Sequence, residues 1–199
     1  MPPHPAPSRP PLRERKKLRA REHIVDVAYE LFDRHGFAPV TVSDIVDAAE
    51  VSRSTFFRYF GDKQEVVFAD EQQFRDGLVA EAHATDGSTP DDLREALGQL
   101  RVLAVGAYAS ASASPRSEVH ERLIDANPEL LDRHVRKLMG FADDMTALLI
   151  ARGAKSSTAR LAARLAIACC LTARGEATPG QMAVAVSERF NEVLRLGAR

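Results

Sequence analysis

VSRSTFFRYFGDKQEVV, residues 51–67, decides how the chain is read. Phe56, Phe57, Tyr59 and Phe60 fall within five residues, interleaved with Arg58 and preceded by Ser52, Arg53, Ser54 and Thr55. A core strand would not carry so many hydrogen-bonding groups, and a solvated helix would not carry so many rings. Read at helical spacing, Phe56 and Phe60 lie four apart on one face with Val51, free to pack inward. Arg53, Ser54, Thr55, Phe57, Arg58 and Tyr59 occupy the remaining circumference. The segment therefore presents a mixed polar and aromatic surface to something outside its own core.

Composition bounds the partner. The chain has 199 residues and 45% hydrophobic content, enough for a sizeable core. No apolar run reaches the ~18–20 residues of a membrane span. The opening MPPHPAPSRPPL has no apolar stretch of the kind a secretory signal needs, so a cytoplasmic location is expected. Seven Lys or Arg stand in residues 1–21 against Glu14 alone, although the whole chain is nearly neutral at a net charge of -1. A basic arm on an acidic body points to an anionic partner. On charge alone, a solvated tail accounts for it equally well. The two cysteines, Cys169 and Cys170, are neighbours and cannot staple a fold. They read as small buried thiols, because no ligand set of metal-binding spacing surrounds them. His83, His120 and His134 are scattered and are expected on solvated faces. No metal, cofactor or catalytic constellation is expected.

Helix signals run the length of the chain. Six prolines in the first eleven residues make the arm, residues 1–12, extended. From Arg13, the stripe Ile24, Val27, Ala28, Leu31, Phe32 predicts a helix ending at Gly36. Thr41 with Asp44 reads as a hydroxyl cap and a carboxylate reaching back to it, opening a short helix whose inner face is Val42, Ile45, Val46 and Ala49. Ser52 caps the next helix, to about Phe60. Asp62 with Glu65 opens another, expected to run to about Glu81. Turn formers follow at residues 85–89. Thr89-Pro90, Asn127-Pro128 and Thr178-Pro179 each place proline after a capping residue and predict helix starts, with a further start after Ser114-Pro115. Gly153 ends the helix from Pro128, and another spans about Ser157 to Ala173. The expectation is an all-α chain of about nine helices: a helix-turn-helix domain over residues 13–66 and a bundle over 67–199.

The layout of residues 41–60, two short helices joined by a turn at Glu50–Val51, is that of a helix-turn-helix. The second helix of such a motif lies in the major groove of double-stranded DNA. Its chemistry suits that role. Arginine can take guanine O6 and N7 together, serine and threonine adapt to either base, and an aromatic ring or methyl meets the thymine methyl. Hydroxyls and N–H groups at helix starts, at Thr41, Ser43 and Ser52, suit phosphates. The candidate DNA-contacting set is Thr41, Ser43, Ser52, Arg53, Ser54, Thr55, Phe57, Arg58, Tyr59 and Lys63, the last facing the DNA backbone just beyond the helix. An ordinary amphipathic bundle helix remains the alternative on periodicity alone.

VTVSDIVDAAEVSRSTFFRYFGDKQEVV, with the preceding ELFDRHGF, resembles the DNA-binding motif of the tetracycline-repressor (TetR) family over about residues 18–68. The resemblance implies about nine helices, a homodimer, and repression relieved by a small-molecule effector through movement of the fourth helix. One position departs from the family pattern. Glu50 stands in the turn where glycine is usual, and at positive φ a non-glycine there is strained by on the order of 1 kcal/mol.

Beyond residue 67 the chain is similar to that family only in helix count and length. Leu100, Leu103 and Tyr108 on one helix and Phe141 and Met145 on another either line an effector pocket or belong to the core. Arg116, Arg122, Arg133 and Arg136 either meet an anionic ligand or form a solvated face. The stripes Leu161, Leu165, Cys169 and Met182, Val186, Phe190 either form a dimer interface or face their own core. A helical-bundle enzyme finds no catalytic set in this chain. A ligand-independent DNA-binding activator or architectural protein stays open, as do the effector, the operator and the regulated genes.

Overall fold

The computed structural model describes residues 12–71, 75, 88–112 and 114–196. The arm up to Pro11, the stretch towards Glu81 and His83 lie outside them. The chain divides into two units between Ala69 and Asp70.

In the first unit, α1 (Leu12–His35), α2 (Val42–Ala48), α3 (Arg53–Tyr59) and α4 (Lys63–Val67) are built from local signals. Helix α1 buries Ile24, Val25, Ala28, Tyr29 and Phe32, and Gly36 at φ 80° stops it. The box at Thr41 closes both ways. The Asp44 N–H donates to Thr41 Oγ1 at 3.2 Å, and the Thr41 N–H donates to Asp44 Oδ2 at 2.7 Å. That backbone bond, followed by one from the Thr41 hydroxyl, holds the Asp44 carboxyl below the usual carboxylate range. Ser52 and Asp62 cap α3 and α4 through the N–H groups of Thr55 and Glu65. The small core gathers Ile24, Phe32, Ile45 and Phe56, all at 1% exposure or less.

Helix α4 stops at Val67, with Phe68 as its cap, rather than continuing without a break. Two side chains of α1 hold this end. Tyr29 donates its hydroxyl to the Val67 carbonyl at 2.8 Å, and Arg21 donates to the carbonyl of Ala69.

The second unit contains α5 (Leu93–Ser112), α6 (Ser117–Ala126), α7 (Pro128–Ala151), α8 (Ser156–Arg174), a 3-10 turn (Pro179–Gln181) and α9 (Met182–Leu196). Helix α8 is central and packs on α5, α7 and α9. Alanines and cysteines on its inner face, from Ala159 to Ala173, permit that close approach. The described residues thus form nine α-helices and no strand.

Asn127-Pro128 opens its helix as expected, and a helix starts after Ser114-Pro115 as expected, whereas the other two proline sites differ. At Thr89-Pro90 the helix begins three residues later, where Asp92 accepts from the Glu95 N–H at 2.9 Å. Pro115 precedes α6 by two residues, and Pro179 begins a 3-10 turn rather than α9. Helix α7 ends at Gly153, at φ 97°. The Ala154 N–H returns to Leu149 O and the Gly153 N–H to Ile150 O, the paired bonds of a left-handed helix stop. A Cβ at Gly153 would come within 2.9 Å of Thr89 Cγ2.

Candidate nucleic-acid interface

Helices α2 and α3 enclose a turn with the same two return bonds. The Val51 N–H donates to Val46 O at 3.0 Å and the Glu50 N–H to Asp47 O at 3.2 Å. Here the left-handed position, φ 52°, holds Glu50, the one non-glycine residue at positive φ among the described residues. Val46 is buried and Val51 half-buried, and the turn sets where α3 begins.

Helix α3 has one fully buried side chain, Phe56 at 0%, and Phe60 just after it is 3% exposed. Their rings meet at 5.5 Å, and the Arg21 guanidinium lies 5.5 Å above Phe60. The outer circumference holds the expected set. Arg53, Ser54 and Arg58 are exposed, Phe57 is 49% exposed, and Thr55 and Tyr59 are half-buried. Phe57 stands edge-on to Phe56 at 5.4 Å, so one anchors while its neighbour projects. The Arg58 guanidinium lies 5.1 Å above the Tyr59 ring.

Before α3, the hydroxyls form a local network. Ser52 Oγ is 2.9 Å from Ser54 Oγ and donates to Thr55 Oγ1 at 2.9 Å. Arg53 Nη1 donates to Ser43 Oγ at 3.4 Å, bringing the first turns of α2 and α3 together. Thr41 caps α2 and Ser43 lies in its first turn.

Lys63 departs from the expectation. Its ammonium donates to the carbonyls of Phe37, Ala38 and Val40 rather than standing out beyond α3. An ammonium whose protons are all engaged has none left for a phosphate. Arg21 is likewise committed to Ala69 O and the Phe60 ring, which its place in the basic run did not suggest.

In the second unit, Leu100, Leu103 and Met145 are buried, while Tyr108 and Phe141 are partly covered against the same core. Of the six residues expected at a dimer interface, Cys169, Met182, Val186 and Phe190 are packed inside the protomer's own core. They cannot also form its outer face. Leu161, 50% exposed, and the half-buried Leu165 keep outward surface.

A polar cluster was not legible in the sequence. Tyr108, Glu121, His134 and Arg174 come from four successive helices, α5 to α8. Arg174 pairs with the Glu121 carboxylate and, at 2.6 Å, with Asp125. Burial raises the Glu121 pKa against the pull of Arg174. His134 is not on a solvated face. Burial, then the Arg174 charge, lowers its pKa to about 3, so the ring is neutral at physiological pH. Burial also pushes the Cys170 thiol up to about 12, which makes it unreactive. Arg116, expected on a solvated face or a ligand, pairs with Asp70 at 2.9 Å. Among the described residues, no group of three or more His, Cys, Asp or Glu could hold a metal, and no helix is long and apolar enough to cross a membrane.

Residues 24–69 match the family model of bacterial regulatory proteins, tetR family. The chain is 28% identical over 150 residues to the HTH-type transcriptional regulator TcmR of Streptomyces glaucescens, covering 73% of this chain and 66% of TcmR. It is 45% identical to MftR of Mycobacterium tuberculosis over 56 residues, 28% of each chain. The aligned stretches thus fall short of two thirds of both relatives. The fold matches a SmeT–triclosan complex with a TM-score of 0.59 at 18% identity, covering 88% of this chain and 91% of that one. SmeT is the repressor of the Stenotrophomonas maltophilia multidrug efflux pump SmeDEF. The proteins it resembles are thus named as regulators, not enzymes. The family match is carried by residues 24–69, the stretch that holds the helix-turn-helix of the N-terminal unit.

Proposed function

We propose that the chain is a sequence-specific DNA-binding transcriptional regulator, a repressor that leaves a palindromic operator when a small molecule binds its second unit. The observation that carries this reading is α3 itself. Phe56 seats the helix, and Arg53, Ser54, Phe57 and Arg58 stay exposed on it. An arginine in the first turn of such a helix can take a guanine edge, worth about 1–3 kcal/mol of discrimination. Thr41, Ser43 and Ser52 supply phosphate contacts at the starts of α2 and α3. Arg13, Arg15, Lys16 and Lys17 on the first turns of α1 add sequence-independent attraction.

The protein acts as a homodimer in the cytoplasm, where its DNA lies. One α3 makes few base contacts, and twofold symmetry doubles them with half-sites one helical turn apart, ~34–36 Å, or a multiple of it. Leu161 and Leu165 are the interface residues of the original six that suit this role. For the effector, Tyr108 and Phe141 are the pocket residues that suit contact, being partly covered rather than sealed in the core. The triclosan-bound repressor SmeT supports a small organic effector for this fold. Whatever its identity, the effector releases DNA only by binding the DNA-free form more tightly.

Selection of bound sequences from a random duplex pool tests the reading. The expected outcome is a palindrome, with Arg53→Ala costing at least about 1 kcal/mol at the selected site. Unselective binding, or an Arg53→Ala variant that binds equally well, would overturn it.

A further inference from the structure

Lys63 is the first residue of α4, and its ammonium is caged. Nζ lies 2.7 Å from the Phe37 carbonyl oxygen, 3.3 Å from that of Ala38 and 2.8 Å from that of Val40. It also lies 4.0 Å from the centroid of the Phe37 ring. Three protons meet three oxygens, and the aromatic face covers a further side. Three carbonyl dipoles converging on one point repel each other unless a positive charge sits between them. The ammonium supplies it, much as a bound cation would.

Those carbonyls belong to the loop joining α1 to α2. The residue after Val40 is Thr41, whose side chain and backbone close the capping box that starts α2. Lys63 therefore ties the start of α2 directly to the start of α4. The other end of α4 is held by Tyr29 on the Val67 carbonyl and Arg21 on that of Ala69. Helix α2 carries Ser43, and Ser43 accepts from Arg53 of α3. The lock at Lys63 thus fixes the surface that offers Thr41, Ser43 and Arg53 together.

We propose that Lys63 is a positioning residue for DNA binding: its ammonium locks the α1–α2 loop onto α4 and sets α2 at the angle its hydroxyls need, without touching a phosphate. This rests on the DNA-binding reading above. A lysine that reached for a phosphate would abandon three carbonyls and an aromatic face to gain one screened contact.

Two variants of the full chain separate the roles. Arginine grips phosphate at least as well as lysine, but its planar fork does not fit a cage built around a compact ammonium. Methionine keeps the length and removes the charge. Affinity for the selected operator is measured across a salt series, and hydrogen exchange of the free protein is read at the Asp44 and Ile45 amides. If Lys63 positions, Lys63→Arg and Lys63→Met both lose about tenfold or more in affinity, a change of the size that second-layer positioning produces. Their log–log salt slopes stay at the wild-type value, and both amides exchange faster. If Lys63 contacts phosphate, Lys63→Arg binds as wild type, Lys63→Met flattens the slope by about one unit per half-site, and exchange is unchanged. That result overturns the proposal. Should Lys63→Met not fold, Lys63→Arg decides alone, because the two roles require opposite outcomes from it. A wild-type chain that selects no sequence sinks the DNA-binding reading and this proposal with it, and the exchange data then show separately whether the lock exists.

Discussion

Glu50 and Gly153 occupy the same backbone position at the ends of two helices. Each is followed by a residue whose N–H returns five residues back, to Val46 and Leu149 respectively. Each sits in the left-handed region, at φ 52° and 97°. Glycine pays no steric penalty there, whereas an L-residue crowds its Cβ against the following carbonyl by about 1–2 kcal/mol. Part of that gain is offset by the unfolded-state freedom glycine adds. Glu50→Gly should therefore stabilise the first unit by about 1 kcal/mol, seen as a higher urea midpoint with unchanged slope. A lower midpoint would mean the Glu50 side chain makes a compensating contact. This strain was legible through the resemblance to the TetR motif, which has glycine where this turn has Glu50. The cage around Lys63 was not. Main-chain carbonyls carry no sequence signature, so nothing written at residues 37–40 says that they converge on a lysine 23 residues or more away.

At the scale of elements, side-chain caps proved better markers than prolines. Thr41, Ser52 and Asp62 each accept from an N–H three residues on, and each helix begins where its cap says. Proline only requires φ near −65°, which a turn preceding a helix or a 3-10 turn satisfies equally. Pro90 therefore lies ahead of its helix and Pro179 begins a 3-10 turn, and Asp92 marks the real start of α5. The cluster on α5 to α8 was invisible for another reason. Its members lie far apart in sequence, and periodicity reports which face is apolar, not which polar groups meet inside. It has a measurable consequence. His134 faces Arg174, His120 and Lys137, which oppose its protonation, and Asp125, which favours it. The unfolded ring binds a proton near the ordinary value of 6.5, the folded ring only near 3. Between those values the unfolded chain holds more protons, so stability falls as pH falls through that window. Glu121 works in the other direction, since its raised pKa favours the folded state as it takes up a proton. His134→Gln should leave the second unit losing less stability between pH 6.5 and pH 5 than wild type, by urea unfolding with a probe in that unit. Parallel curves for the two proteins would show that the buried ring does not control this range.

At the scale of the whole molecule, the proposed homodimer raises the question of which surface of the second unit would meet a second copy. Apolar stripes on α8 and α9 were legible, but periodicity cannot tell an inward face from an outward one when a helix buries most of its girth. Met182, Val186 and Phe190 proved to be the inward face of α9, at 4%, 0% and 0% exposure. On α8, Leu161 keeps half its surface, and on α9 Val184 is 63% exposed on the side away from that core. Exposed leucine and valine on adjoining helices are what a self-complementary patch requires under twofold symmetry. Leu161→Glu places a charge in that patch while leaving the protomer's core intact. The expected result is a monomer by light scattering at micromolar concentration, with wild-type helix content. Its affinity for the full palindrome should fall at least about a hundredfold, because the second half-site no longer binds within the same complex. Affinity for an isolated half-site should not change, since α3 is untouched. Met182→Ala is the contrasting change. It empties a site inside one protomer, so it costs about 2–5 kcal/mol of stability and leaves the dimer intact wherever the chain stays folded. A dimeric Leu161→Glu protein would move the interface off α8 and take Leu165 with it, because the two lie one turn apart on the same outward side.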